Sequence, residues 1–131
     1  MPAASGAPWR NASTCAGSSS KRIPDRKDAL ALVRIVDTLA DAKAALGPDT
    51  RVWVTAARTL DRSLGWADAR SALRDGPPVL LVFGTSWGLA PSVTDAADAV
   101  VAPIDGGHGW NHLSVRAACA IALDRLRAPA A

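Results

Sequence analysis

The hydrophobic pattern centres on an unbroken apolar run at residues 79–83, VLLVF, which stops at Gly84. An apolar run without polar alternation is typical of a strand covered on both faces, as the parallel strands of α/β sheets are. Two further runs, RVWVTAA at residues 51–57 and AVVAPI at residues 99–104, predict two more strands. The chain therefore predicts an open α/β sheet of mostly parallel strands.

Helical periodicity occupies the segments between and after these strands. Residues 66–75 repeat apolar side chains at helical spacing before a Gly-Pro-Pro stop, and a short helix is predicted over residues 91–97. A longer helix is predicted over residues 114–127. Its apolar stripe consists of Val115, Ala118, Cys119, Ala122, Leu123 and Leu126. This alternation of strands and helices predicts right-handed crossover connections.

The segment from residue 25 to residue 46 allows two interpretations. The first has a short helix up to residue 32, a strand over residues 32–36 that is rich in β-branched side chains, and a helix over residues 39–46. Thr38 and Asp41 have the spacing of a capping box at the start of that last helix. The second interpretation is one long helix from residue 25 to residue 46.

Residues 1–22 differ in composition from the rest of the chain. They are built mainly from Ala, Ser, Gly and Pro with almost no aliphatic side chains, so they bury too little apolar surface to order themselves. We therefore predict a disordered leader over residues 1–22 and one α/β domain over residues 23–131. A chain of 131 residues, 49% of them hydrophobic, is long and apolar enough to form the core of one such domain.

Composition and charge narrow the class of protein. The net charge of +3 fits a nucleic-acid partner without requiring one. No apolar stretch approaches the roughly 20 residues that span a bilayer, and the N-terminus lacks the features of a signal peptide. We therefore expect a cytoplasmic protein without a membrane partner. Cys15 and Cys119 lie far apart and fit reduced thiols, and without clustered His and Cys we expect no metal site.

Glycine-rich loops follow two of the predicted strands. We name residues 84–89, GTSWGL, the first glycine loop and residues 105–109, DGGHG, the second glycine loop. Ligands of open α/β sheets bind beyond the carboxyl ends of the strands, and glycine lets the backbone approach a ligand closely. The two loops thus bracket one candidate cavity, and Arg58 either faces that cavity or is a surface arginine. A phosphate-binding loop ending in Lys and Ser or Thr is absent, which disfavours a nucleoside triphosphate.

Three segments carry a family resemblance. They are FGTSWGLAPSV at residues 83–93, VVAPIDGG at 100–107 and WNHLSVRAACAIALDRL at 110–126, with PDRKDALALVRIVDTLADA at 24–42 upstream. In this order and spacing they resemble the bacterial SAM-dependent RNA methyltransferases of the SPOUT, or α/β-knot, class. The resemblance implies a Rossmann-like sheet with a C-terminal trefoil knot, a homodimer, and S-adenosylmethionine as cofactor.

The resemblance also implies a site. The family binds its cofactor with the loops after two strands and the start of the last helix. The matching positions are Gly84, Thr85, Ser86, Trp87, Gly88, Leu89, Pro103, Ile104, Gly106, Asn111, His112, Leu113, Ser114 and Val115. The implied reaction is methyl transfer to a nucleotide of tRNA or rRNA, for which Asn111, Ser114 and Arg116 are the candidate catalytic residues.

Each of these candidates also has a structural interpretation. In this interpretation, Asn111 caps the last helix or holds the knot, and Ser114 forms a hydrogen bond in the first helical turn. Arg116 then pairs with an acidic residue of the protein and not with an RNA phosphate. His108 and His112 are further candidate bases because an imidazole exchanges protons near neutral pH. His112 also has a structural interpretation.

The sequence departs from the family pattern at several positions. Ser86 replaces a glycine, Trp110 a smaller aromatic residue, and Asp105 what is usually an arginine, which removes a cation that would help to bind RNA. The family domain begins with two further strands and helices that residues 1–22 do not resemble. We therefore expect the C-terminal, cofactor-binding part of such a domain, with one sheet edge and an apolar helix face exposed.

Three functions are compatible with these observations. The first is an RNA methyltransferase. The second is a catalytically inactive remnant that binds S-adenosylmethionine or RNA, and the third is a generic α/β domain whose dimerising last helix matters more than any ligand.

Overall fold

The computed structural model describes residues 10–11, 24–85, 87–109 and 111–129, with Arg10, Asn11 and Pro24 described by their backbone alone. The chain divides into two compact units, residues 1–45 and residues 46–131. Predictions for most of the leader, Cys15, Ser86 and Trp110 lie outside the described residues. The leader boundary at residue 22 also falls there and stays a prediction.

The described residues form six strands and five helices. In chain order they are β1 (Arg10–Asn11), α1 (Pro24–Ala31), β2 (Arg34–Ile35), α2 (Leu39–Leu46), β3 (Arg51–Thr55), β4 (Ser63–Leu64), α3 (Trp66–Asp75), β5 (Val79–Val82), α4 (Pro91–Ala96), β6 (Ala99–Val101) and α5 (Val115–Arg127).

The first unit confirms the interpretation with two separate helices, and one long helix is wrong. The predicted strand at residues 32–36 is shortened to β2, which pairs antiparallel with β1 in a two-stranded sheet. Counting this strand in the alternation of strands and helices would have placed it in the parallel sheet, and that expectation is wrong. Both residues of β2 are exposed, so it lacks the burial on two faces that a parallel strand has. β1 itself falls within the segment where the sequence predicted no regular structure.

The predicted cap of α2 is present. The Asp41 amide donates to Thr38 Oγ1 over 3.1 Å, and the Thr38 hydroxyl donates to Asp41 Oδ2 over 2.6 Å. In a full capping box the acidic side chain accepts from the backbone amide of the cap residue. Here it accepts from the hydroxyl, so one half of the box is formed.

The second unit contains a four-stranded parallel sheet in the order β4-β6-β3-β5. The inner strands β3 and β6 hold the largest fully buried side chains, Trp53, Val54, Val100 and Val101. β5, from the apolar run at residues 79–83, is an edge strand whose residues are all half-buried. The prediction that it is covered on both faces is therefore wrong, because the side chains on both of its faces stay partly exposed.

Helices α3 and α5 pack against each other and contribute to a core cluster of Trp53, Ala69, Val101 and Leu126. The predicted boundaries of α2 and α3 are confirmed, and those of α4 and α5 hold to within one residue. Along the predicted apolar stripe of α5, Val115 and Leu123 stay 43% and 50% exposed. Part of that stripe therefore faces solvent.

The aspartate before β6 connects two strands. The Asp98 carboxylate accepts a hydrogen bond from the Val52 amide over 2.6 Å, and the Asp98 amide donates to the Val52 carbonyl over 2.8 Å. These bonds link the residue before β6 to the start of β3, so they fix where both strands begin. In the described part of the chain, no helix has the length and apolar character needed to cross a membrane.

Candidate functional site

The carboxyl ends of β3, β5 and β6 meet at one edge of the sheet, because these strands are parallel. The segments that follow them, together with the start of α5, line a cavity of about 760 Å³, which we name the loop cavity. Pockets for small molecules usually measure about 300–1,000 Å³. The loop cavity is therefore large enough for a nucleoside-sized ligand.

The first glycine loop is a tight turn after β5. The Gly88 amide donates to the Thr85 carbonyl over 2.6 Å, and these two residues form an isolated antiparallel bridge. Gly88 has a φ of +78°, a left-handed conformation that glycine adopts without steric cost. A Cβ atom at Gly84 would lie 2.7 Å from the Gly88 carbonyl carbon. Gly84 is thus needed because the two limbs of the turn touch each other.

Trp87 occupies this turn with its side chain 98% exposed, although the residue belongs to the cavity lining. An indole ring with that exposure makes little contact with the rest of the described chain. Its large apolar face is therefore directed to solvent.

The second glycine loop is shaped by its aspartate. Asp105 Oδ1 accepts a hydrogen bond from the Gly107 amide over 2.7 Å, in the manner of an Asx turn. Gly107 and Gly109 have φ values of +75° and +71°, which favour glycine at both positions. Asp105 therefore has a structural role in this loop.

The segment before α5 is fixed by two side chains. Asn111 Nδ2 donates to the Ala57 carbonyl over 2.7 Å and so holds this segment close to the end of β3. Ser114 is the N-cap of α5, and its Oγ accepts from the Ala117 amide over 3.2 Å. The prediction that Asn111 caps the last helix is wrong, because Ser114 has that role. The interpretation of Ser114 as a first-turn hydrogen bonder is confirmed.

Most of the predicted cofactor-binding residues come together at the loop cavity. Its lining includes Gly84, Thr85, Trp87, Gly88, Leu89, Ile104, Asn111, His112, Leu113, Ser114 and Val115. Among the described residues, Pro103, Gly106 and the catalytic candidate Arg116 lie outside this lining. Ser86 lies outside the described residues. The binding and catalytic roles of all these residues stay predictions.

The lining also contains residues that the sequence did not single out as cofactor-binding. They are Thr55, Ala56, Ala57, Arg58, Leu60, Trp66, Phe83, Thr94, Ala102, Gly109 and Ala118. Residues 55 to 58 lie at or just after the carboxyl end of a strand that the sequence predicts, and this position marks Arg58 and its neighbours as candidates. Trp66, Thr94 and Ala118 lie on helices, where nothing in the local sequence marks a residue as facing a ligand.

The charged groups of the described lining are few. Within the described residues, Arg58 is the one lining residue of the Asp, Glu, Lys and Arg types, and His112 lines the cavity as well. The described chain holds no group of three or more His, Cys, Asp or Glu side chains able to bind a metal ion. The walls otherwise consist of glycines, apolar side chains and uncharged polar side chains such as those of Thr55, Asn111 and Ser114, which suit an uncharged heterocycle.

Comparison with known proteins extends this description. A family model described as SAM-dependent RNA methyltransferase matches residues 12–128, beginning within the segment that we predicted to be a leader. The chain is 41% identical over 112 residues to a tRNA (guanine-N(1)-)-methyltransferase of Nitratidesulfovibrio vulgaris, covering 84% of the chain and 26% of that relative. It is 44% identical over 107 residues to a tRNA (guanine-N(1)-)-methyltransferase of Oleidesulfovibrio alaskensis, covering 79% and 25%.

A third relative is an uncharacterized protein of Aquifex aeolicus, 36% identical over 111 residues, with 81% of the chain and 54% of the relative covered. The chain thus spans about a quarter of the length of the two tRNA methyltransferases and about half of the Aquifex protein.

Proposed function

The chain belongs to the SAM-dependent RNA methyltransferase family, and on that premise we propose that the protein transfers the methyl group of S-adenosylmethionine to a nucleotide of RNA. The names of the two bacterial relatives support tRNA as the acceptor. The similarity to them covers most of this chain, which contains the loop cavity.

The observation that carries this proposal is the composition of the loop cavity. Two turns that follow parallel strands and the N-terminal end of α5 contribute to one lining, in which Trp87 and Asn111 both take part. Small residues leave backbone amides and carbonyls available to the edges of an adenine ring, and apolar side chains suit its faces. The residues present therefore fit S-adenosylmethionine, which would be held by the first glycine loop and by the segment before α5.

When bound, S-adenosylmethionine supplies a methyl group on a sulfonium, whose neutral thioether is a good leaving group. The protein then has to align the acceptor and, where the acceptor is weak, remove a proton. Asn111 and Ser114 contribute mainly by holding the lining in place through their bonds to Ala57 and Ala117. His112 lines the cavity with an imidazole, so we propose it as the residue that takes a proton if one must leave.

We also propose that the protein is of the SPOUT class, with the chain knotted around the cofactor site. The parallel sheet and a cavity built from the loops after β5 and β6 support this assignment. We propose that it acts as a homodimer in the cytoplasm, where its RNA acceptor would be. The exposed apolar side chains Leu113, Val115 and Leu123, in and just before α5, support a partner surface there.

The reaction is tested by incubating the purified chain with tritiated S-adenosylmethionine and bulk tRNA, and measuring acid-precipitable label. We expect label in tRNA, and a strong decrease in the Gly84→Ala variant, whose cavity wall is displaced. Binding of S-adenosylhomocysteine without any methyl transfer would identify an inactive binding remnant. The absence of both binding and transfer would leave a generic α/β domain.

The homodimer is tested by sedimentation equilibrium of the unmodified chain and two matched variants of α5. Leu123 and Ala120 are both exposed on this helix. We expect Leu123→Glu to weaken dimerisation and Ala120→Glu to have a smaller effect, because only the first removes a large apolar contact. A chain that stays monomeric at every concentration contradicts the homodimer.

A further inference from the structure

Arg58 stands out among the residues of the loop cavity. It lies three positions after the last residue of β3, its side chain is exposed, and it takes part in the lining. No hydrogen bond or ion pair of Arg58 is formed within the described part of the chain. By contrast, the Arg51 guanidinium donates to the carbonyls of Ala72 and Pro77, 2.8 Å each. Arg51 therefore serves the fold, and Arg58 does not.

The charge of the lining is one-sided. Among the described lining residues, none is Asp or Glu, and the guanidinium of Arg58 supplies a positive charge. A cation that has no protein anion beside it attracts an anionic group of a ligand and repels a cationic one. The planar guanidinium also matches a carboxylate with two parallel hydrogen bonds. Arg58 therefore favours a ligand with a carboxylate at this side of the cavity.

Building on the proposed function, we propose that Arg58 binds the α-carboxylate of the methyl donor and thereby selects its amino-acid end. The donor carries a sulfonium, an ammonium and one carboxylate. Placing the carboxylate at Arg58 brings opposite charges together, whereas the sulfonium or the ammonium at that position would set two positive charges beside each other. Arg58 would then distinguish the complete donor from adenosine derivatives that lack the amino acid.

The inference is tested by calorimetric titration with two defined ligands. S-adenosylhomocysteine keeps the amino acid, and 5′-methylthioadenosine keeps the adenosine and the thioether but has no carboxylate. We expect Arg58→Gln to weaken binding of S-adenosylhomocysteine about tenfold, which is the loss expected for one charge-assisted hydrogen bond. The affinity for 5′-methylthioadenosine should change by no more than about twofold. Arg58→Lys should restore part of the lost affinity, because lysine keeps the positive charge but lacks the planar pair of N–H donors.

Arg74→Gln is the matched control. Arg74 is an exposed arginine in the last turn of α3 and lies outside the described lining, so its substitution should change neither affinity. Equal urea midpoints of the Arg58→Gln variant and the unmodified chain will show that the substitution leaves the fold intact.

Three results would overturn the inference. If Arg58→Gln weakens binding of both ligands equally, or changes the affinity for neither, Arg58 does not bind the carboxylate. Unchanged S-adenosylhomocysteine binding with weakened binding of bulk tRNA assigns Arg58 to RNA phosphate instead. If the unmodified chain binds neither ligand, the proposed function fails together with the inference, and this pattern is distinct from the other two.

Discussion

The substitution Gly84→Ala tests the described geometry of the first glycine loop. A Cβ atom at this position would lie 2.7 Å from the Gly88 carbonyl carbon, 2.9 Å from Gly88 Cα and 2.9 Å from the Leu89 amide nitrogen. All three are backbone atoms, so no side chain can rotate away. The turn must open, and the 2.6 Å hydrogen bond from the Gly88 amide to the Thr85 carbonyl is lost or weakened.

The expected cost follows from these contacts. Overpacking of a tight site costs about 1–3 kcal/mol, and a lost backbone hydrogen bond about 1 kcal/mol. We therefore expect Gly84→Ala to lower the free energy of unfolding by about 2–4 kcal/mol in urea denaturation followed by circular dichroism. Displacement of the turn should also weaken binding of S-adenosylhomocysteine.

Gly106→Ala is the matched control for stability. A Cβ atom at Gly106 would meet no other atom within 4 Å, and this residue is not one of the left-handed glycines of the second glycine loop. Its substitution should change the free energy of unfolding by no more than about 0.5 kcal/mol. If Gly84→Ala is as mild as Gly106→Ala, the close approach of the two limbs of the turn is refuted.

Three further substitutions have defined outcomes. Ser114→Ala should cost about 1 kcal/mol of unfolding free energy by removing the cap of α5, with recovery in Ser114→Asn; equal losses in both would contradict a capping role. Asp98→Ala should cost about 1–3 kcal/mol in urea denaturation because the buried Val52 amide loses its acceptor, whereas exposed Asp95→Ala should stay within about 0.5 kcal/mol. Trp87→Ala should change the free energy of unfolding, measured by thermal denaturation, by less than about 0.5 kcal/mol, because the indole is 98% exposed. A larger loss would mean that the ring is packed against the protein.

The secondary structure of the second unit followed closely from local sequence. The apolar runs predicted β3, β5 and β6, and helical periodicity with Gly and Pro stops predicted α3 and α4. β4 has two residues, too few for any periodic signal, and its pairing with β6 depends on contacts between residues distant in the chain. The position of β5 at the edge of the sheet was equally inaccessible, because an apolar run reports burial and not strand order.

The candidate site was predictable to a similar depth. Glycine loops at strand ends indicated which segments converge, and the resemblance named most of the residues that line the loop cavity. The hydrogen bonds that fix them were not predictable, since Asn111 reaches the Ala57 carbonyl across 54 positions of sequence. For the same reason the sequence did not decide whether Arg58 faces the cavity or is a surface arginine. In the structure its side chain is exposed and the residue also lines the loop cavity.

The central claim is that the first glycine loop and the segment before α5 bind one methyl donor. The most direct measurement is a titration of the ¹⁵N-labelled chain, 13.5 kDa in mass, with S-adenosylhomocysteine, followed by amide NMR. We predict that the largest shifts fall on residues 84–89 and 109–115. Shifts confined to other parts of the chain, or none at millimolar ligand, would contradict it.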